Sequence, residues 1–328
     1  MSAPDTKKVV VAALAGNVAI SVCKFAAAYL SHSTSTLAEA VHSLADTGNQ
    51  ALLLVGMRLA ARPADERFPF GRASERYFWP FVVALMLFSV GGAFAVFEGV
   101  HQMMEAVAGP TRGFGWSYGV LGLSLFFESL SFRVAWAEFR KVARGRPLRK
   151  VIFGTRDPTI PLVLAEDTTA IIGLALALLS IAVAQLTGQT LFDSLGSILI
   201  GLLLASVALI IARITHGLLI GEGATPEDQA RALVLAESVP EVNAVTQLLT
   251  MHLGPDVVIL AMKIDFRSGL DAAAIEDVTN RIEALIRADL PQMRKIFIEV
   301  DSRGDGRGLG PLRELAETTG LTEKTEIQ

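Results

Sequence analysis

Glu39, His42 and Asp46 recur at i, i+3 and i+7 within the apolar stretch Leu37–Met57, so on a helix all three lie along one face. His42 and Asp46 are one turn apart, and both side chains can reach one ion. A second pair, Glu166 and Asp167, interrupts the apolar stretch Ile160–Leu186. An ionised Asp at the centre of a membrane helix costs roughly 2.5–3.5 kcal/mol. Several such groups in two stretches would cost on the order of 10 kcal/mol, the whole stability of a typical domain. They must therefore be protonated, paired or bound to something charged. An imidazole with carboxylates at ligand spacing suits Zn2+ and its neighbours. That makes His42, Asp46, Asp167 and Glu166 candidate metal ligands, with Glu39 a further one. Asn17, Asn49 and Gln50 can add oxygen ligands or hydrogen-bond between helices. Hydrogen bonding inside a helical bundle is the alternative reading of the whole set.

Other ionisable residues in apolar surroundings are weaker candidates. Glu128, within Phe114–Trp136, reads as a proton relay or an interhelical partner, and is a further candidate for the metal site. Glu98, His101 and Glu105 share a face near the end of Phe78–Met104, either as a funnel for ions or as a solvated helix end. Lys24 stands about 9 Å from the end of its stretch at 1.5 Å per residue, close enough to snorkel outward. Asp193 opens its stretch and reads as a helix cap.

The elements that must position these residues are long. A membrane helix needs about 20 mostly apolar residues. Six stretches qualify: Val9–Leu30, Leu37–Met57, Phe78–Met104, Phe114–Trp136, Ile160–Leu186 and Leu191–Ala212. The first is longer than a signal-peptide core, and no cleavage pattern follows it. Basic residues fall on alternate connections. Arg58, Arg62, Arg67, Arg72 and Arg76 lie between the second and third stretches, and a dense run from Arg140 to Arg156 lies between the fourth and fifth. Lys7 and Lys8 precede the first stretch, whereas the opposite connections carry only Arg112. The positive-inside rule then places both termini in the cytoplasm, most simply at the cell's inner or plasma membrane. The run from Arg140 to Arg156 is the topology signal or, alternatively, a site for anionic headgroups.

Beyond the sixth stretch the composition becomes that of a soluble domain. Thr225-Pro226-Glu227-Asp228 is a helix start, with a capping Thr, Pro at the first position and acids in the first turn. Val242–Met251 and Val257–Phe266 read as strands joined at Gly254-Pro255-Asp256. Ile275, Val278, Ile282, Leu285 and Ile286 mark one face of a helix over Ala272–Ala288, and Arg294–Val300 reads as a third strand. The order αββαβ predicts a small open sheet with its helices on one face. The expected division is 1–215 for the membrane domain, 216–301 for the cytoplasmic domain and 302–328 for a mobile tail with a short helix near Leu312–Thr318.

Composition agrees with this division and narrows the function. Of the 328 residues 52% are hydrophobic, and the mean hydropathy of +0.47 is too high for an ordinary soluble globule. A net charge of −4 without a basic patch gives nucleic acid no binding surface. Cys23 is the only cysteine, so neither an internal disulfide nor a thiolate metal cluster can form. An intramembrane metalloprotease would want His-Glu-xx-His, which the chain lacks.

Several motifs, taken in order, resemble the cation diffusion facilitator family of proton-coupled metal efflux transporters. Ser35-Thr-Leu-Ala-Glu-Ala-Val-His42-Ser-Leu-Ala-Asp46 is similar to the family's second-span His-xxx-Asp motif. Phe70-Gly71-Arg72-Ala-Ser-Glu75 resembles its loop into the third span. Asp167 with Gly173, and Phe192-Asp193-Ser-Leu-Gly196, resemble its fifth and sixth spans. The resemblance covers about Lys7 to Asp301. It implies six transmembrane helices, a ferredoxin-like cytoplasmic domain and a homodimer. It also implies export of Zn2+, or of Co2+, Fe2+, Mn2+, Ni2+ or Cd2+, from the cytoplasm in exchange for protons, with no resident cofactor. A membrane metal sensor that signals without transport is the alternative. Two departures stand out. The family's fifth span offers His or Asp four residues before the site Asp, where this chain has Val163, and Glu166 stands beside Asp167 instead, as in a Glu-Asp subgroup of zinc-transporter relatives. The family's last strand often carries a metal-binding His, where this chain has Ile298-Glu299-Val300. His252 is then a strand or surface residue rather than a ligand, and the soluble domain is expected to bind metal weakly or not at all.

Overall fold

The structure, a computed structural model, describes residues 6–31, 34–104, 114–143, 151, 156–189, 191–302 and 309–321. Among these, the side chains of 27–28, 30–31, 34–42, 45, 114–117 and 142 lie outside the description. The chain forms two compact units, Met1–Arg67 with Glu75–His216, and Phe68–Ser74 with Gly217–Gln328.

The first unit is built from long helices: α1 (Thr6–Ser31), α2 (Thr34–Ala60), α3 (Glu75–Met104), α4 (Phe114–Ala143), α5 (Thr159–Thr187) and α6 (Leu191–Leu219). Among the described residues, five are long and apolar enough to cross a membrane, over Thr6–Ala26, Glu75–Met104, Tyr118–Lys141, Thr159–Thr187 and Leu191–Leu219. The remaining one, α2, has 27 residues and is the least apolar, because the polar stripe singled out above runs along it. Within α3 the backbone widens into a π-helical stretch over Leu87–Ala93, at Gly91-Gly92. α1 packs on α2, α4 and α5, and α4 packs on α5. The core they share with the first part of α3 holds Val9, Val10, Ala13, Leu53, Val83, Ala135, Phe139, Ile160, Leu162 and Val163. The far half of α3 and α6 meet backbone to backbone: a Cβ on Gly201 would stand 2.8 Å from the Gly92 carbonyl oxygen, and one on Gly99 2.8 Å from that of Ser194. Small residues at such contacts are how apolar helices gain van der Waals energy where burial from water is not available.

The second unit is a mixed sheet covered by helices. α7 (Pro226–Glu237) begins as its sequence predicts, with the Thr225 hydroxyl accepting from the Asp228 backbone N–H at 3.2 Å. β1 (Val242–Gly254) and β2 (Val257–Phe266) pair antiparallel, α8 (Ala272–Asp289) follows, and β3 (Lys295–Val300) pairs parallel to β2, giving the order β1-β2-β3. Alternate β2 residues Val258, Leu260, Met262, Ile264 and Phe266 are buried under Val278, Ile282 and Ile286 of α8. Leu285, expected on that buried face, is 38% exposed, since it lies at the margin of the stripe. Where a short helix near Leu312–Thr318 is expected, α9 (Leu309–Thr318) buries Leu309, Leu312 and Ala316 against α7 and β1. Residues 303–308 and 322–328 of the expected tail lie outside the described residues. The stretch Phe68–Ser74 also belongs to this unit, with the Phe70 ring set edge-on to Phe297 at 6.4 Å.

Candidate metal centre

Two adjacent acids on α5 face two different helices. Successive residues on an α-helix are turned by about 100°. Accordingly Asp167 accepts a hydrogen bond at 2.8 Å from the Ser131 hydroxyl of α4, whereas Glu166 accepts one at 2.7 Å from the Gln50 amide of α2. Asp167 is 3% exposed and Gln50 1%. Asp46 lies one turn before Gln50 on α2, and its charge acts on Glu128, Glu166 and Asp167 alike. Glu128 of α4, also buried, lies within reach of the charges of Asp167, Asp46 and Lys24. Four carboxylates on three helices therefore share one electrostatic environment.

The donors available there are oxygen-rich and partly unused. The Asn49 Oδ1, Gln50 Oε1 and Glu166 Oε1 atoms are buried without a hydrogen-bond partner. A buried acceptor left unpaired costs about 1–3 kcal/mol, and a cation between Gln50 and Glu166, which are hydrogen-bonded to each other, would relieve that cost there. Val163, where the resembling family keeps a ligand, is fully buried in the apolar core and contributes nothing polar. Glu39 and His42 lie on α2, and their side chains fall outside the described residues. Among the described residues no three His, Cys, Asp or Glu side chains converge tightly enough to enclose an ion. Asp46, Glu128, Glu166 and Asp167 are gathered as neighbouring charges on three helices.

Several expectations change against the structure. Lys24 does not snorkel outward: it is 5% exposed, because α1 turns it toward α4 rather than along the apolar surface. Asp193 sits in the first turn of α6, which starts at Leu191, so it is not the cap. Glu98 accepts from the Gln102 amide at 3.0 Å on its own helix, and His101 stacks on Phe97 at 6.0 Å between ring centres. Glu105, their expected partner, lies outside the described residues, as does 144–150 within the basic run. His252 is a strand residue but a buried one, with Nδ1 3.2 Å from the Gly254 carbonyl oxygen. Ser131 escaped the sequence reading. Its signal was a small hydroxyl three residues after Glu128 on the same helix face.

Comparison with known proteins comes to the same region of the chain. Residues 10–220 match the model of the cation efflux transmembrane domain. The proton-coupled zinc antiporter SLC30A9, mitochondrial, of Xenopus laevis is 32% identical over 86% of this chain and 52% of its own length. Metal tolerance protein C4 of Arabidopsis thaliana is 29% identical over 92% of this chain and 64% of its own. Magnetosome protein MamB of Magnetospirillum gryphiswaldense is 22% identical over 88% and 91%. The chain thus spans about half the length of the zinc antiporters it matches.

Proposed function

We propose that this chain, which belongs to the cation diffusion facilitator (cation efflux) family, exports a divalent transition metal, Zn2+ first among them, from the cytoplasm in exchange for protons. The observation that carries the reading is the placement of Glu166 and Asp167, tied separately to α2 and α4 beside Asp46. In this proposal α2 is the sixth span, both termini face the cytoplasm, the second unit adopts a ferredoxin-like arrangement, and two copies pair. The names of its relatives, a proton-coupled zinc antiporter and a metal tolerance protein, support metal and proton as the exchanged ions.

The chemistry follows from what the ligands require. Carboxylates and imidazole bind metal only when deprotonated, so His42, Asp46, Asp167 and Glu166 hold either the metal or protons. A bundle that rocks between two openings then exchanges one for the other, since neither opening is visited with bare charges in a low-dielectric interior. Because α5 is hydrogen-bonded to both α2 and α4, a movement of α2 against α4 in which α5 stays with α4 changes the distance between Asp46 and Asp167. That is the coordinate along which a site can form and open.

The test is Zn2+ flux by the purified full chain in proteoliposomes with a fluorescent zinc reporter inside. We expect uptake that is accelerated by an acidic lumen and that alkalinises it. Metal binding without flux would identify the sensor reading instead, and flux indifferent to collapse of the pH gradient would identify a uniporter.

A further inference from the structure

Two polar stripes face each other across α1 and α4, and one of them ends in a buried cation. On α1 the buried polar residues are Asn17, Ser21 and Lys24, at i, i+4 and i+7. On α4 they are Ser124, Glu128 and Ser131, at the same spacing. The two helices pack together, with Ser131 Cβ 3.8 Å from where a Cβ on Gly16 would lie. At the other end Lys24 and Ser124 line the same cavity of about 280 Å3, with Ile20 and Leu123 as apolar neighbours. The stripes therefore run from Asp167, bonded to Ser131, past Glu128 to the cavity at Lys24. Seven helical residues separate Asn17 from Lys24, a rise of roughly 10 Å.

A buried ammonium on a route for cations calls for an explanation. Lys is rarely fully buried unless paired, and the Lys24 charge acts on Glu128, on which Asp46 and Asp167 also act. We propose that Lys24 is a tethered cation that stands in for the transported metal: between metal ions its ammonium neutralises Glu128, and when metal is bound its charge lowers the affinity of the site and so favours release. This deepens the cation-efflux reading and rests on it for the direction of flow. A compact charge on a flexible four-carbon stem suits the role, because it can withdraw into the cavity as the metal passes.

Charge-neutral and charge-keeping variants of the full chain separate this from a packing role. Zn2+ affinity is measured by calorimetry in detergent, and Zn2+ flux is measured in liposomes. Lys24→Met, which keeps most of the side-chain volume, should bind Zn2+ on the order of tenfold tighter, equivalent to about 1.4 kcal/mol, with a lower maximal flux. Lys24→Arg should return both values to within about twofold of wild type, since charge rather than shape carries the effect. Glu128→Gln removes a negative charge on which Lys24 acts and should weaken binding, and adding Lys24→Met to it should tighten binding again. The second pair of variants decides the matter if Lys24→Met alone does not fold. Unchanged or weaker Zn2+ binding on removal of Lys24, in either background, overturns the proposal, as does failure of both backgrounds to fold. A wild-type chain that binds Zn2+ without carrying it sinks the transport reading alone, because the affinity comparison still stands.

Discussion

At the scale of single residues, the site is a set of charges whose partners come from distant parts of the chain. Asp46→Ala and Asp167→Ala should each abolish metal flux with the fold retained, read from flux beside a thermal-melt control. Near wild-type flux in either would displace the site. Ser131→Ala tests something finer. It removes the donor that fixes Asp167 but no charge, so KM for Zn2+ should rise while flux at saturating metal persists; a KM equal to wild type would make that hydrogen bond incidental. Gln50→Leu leaves a Glu166 oxygen without its donor, a loss of about 1–3 kcal/mol, and frees Glu166 to turn toward the metal or away from it. Val163→His places an imidazole where the family keeps one and should shift preference from Co2+ or Mn2+ toward Zn2+, measured by competition. The acids themselves were legible in sequence because charge in an apolar run has so few explanations. The Gln50–Glu166 bond, spanning 116 residues, was not, because helix periodicity gives a direction around an axis and says nothing of which helix stands there.

Helices and strands carry a different kind of constraint, set by how closely their backbones approach. Where α3 meets α6, Gly201→Val would drive a side chain into Val96 and the Gly92 carbonyl, and overpacking of this kind costs about 1–3 kcal/mol. Gly119→Ala on α4, with nothing within 4 Å of its added Cβ, should instead hold or raise the melting temperature. Equal effects from the two would mean that α3 and α6 do not approach as described. Asp157, just before α5, ties three helices: it accepts from the Thr6 hydroxyl of α1 at 3.1 Å, from Arg76 of α3 and from the Thr159 backbone N–H at 3.1 Å. In the second unit α9 fills a place that the composition of its surroundings concealed. Gly and charge dominate 302–310, yet Leu309, Leu312 and Ala316 fall at the i, i+3, i+7 spacing of a buried stripe. Leu312→Ala should cost about 2–5 kcal/mol; a change within error would return α9 to the tail. The pairing of Glu241 with Arg281 of α8, at 2.8 Å, holds the Glu241 carboxyl below the ordinary carboxylate value. A lowered value means the stabilisation is present above the unfolded carboxylate range and is lost as pH falls through the folded value. The melting difference between wild type and Glu241→Gln should therefore shrink on acidification, and a constant difference would assign it to something other than charge.

Taken whole, the molecule divides its chemistry unevenly. The proposed metal ligands lie in the first unit, on α2 and α5 with Glu128 of α4 beside them, whereas His252, Glu299 and Asp301 of the second unit each have a partner already. His252 is buried, with Nδ1 against the Gly254 carbonyl. Glu299 and Asp301 both lie against the Lys263 ammonium, at 3.4 and 2.9 Å, which already supplies their cation. The sole cysteine, Cys23, is on α1. The contrast in composition between the two parts was legible in the sequence, because hydropathy separates apolar from ordinary chain and because imidazole and thiol are so scarce here. What hydropathy could not supply was the burial of Lys24 or the coverage of α7 and β1 by α9, which depend on neighbours far along the chain. The prediction at this scale is a stoichiometry. Calorimetric titration of the full chain with Zn2+ should find its tight binding in the first unit, and the Asp46→Asn, Asp167→Asn double variant should lose that binding entirely. The second unit remains intact in that variant, so any site it possessed would persist as heat of the same affinity. Sub-micromolar binding surviving the double substitution would place a metal site on the sheet domain and overturn the assignment of all metal chemistry to the helices.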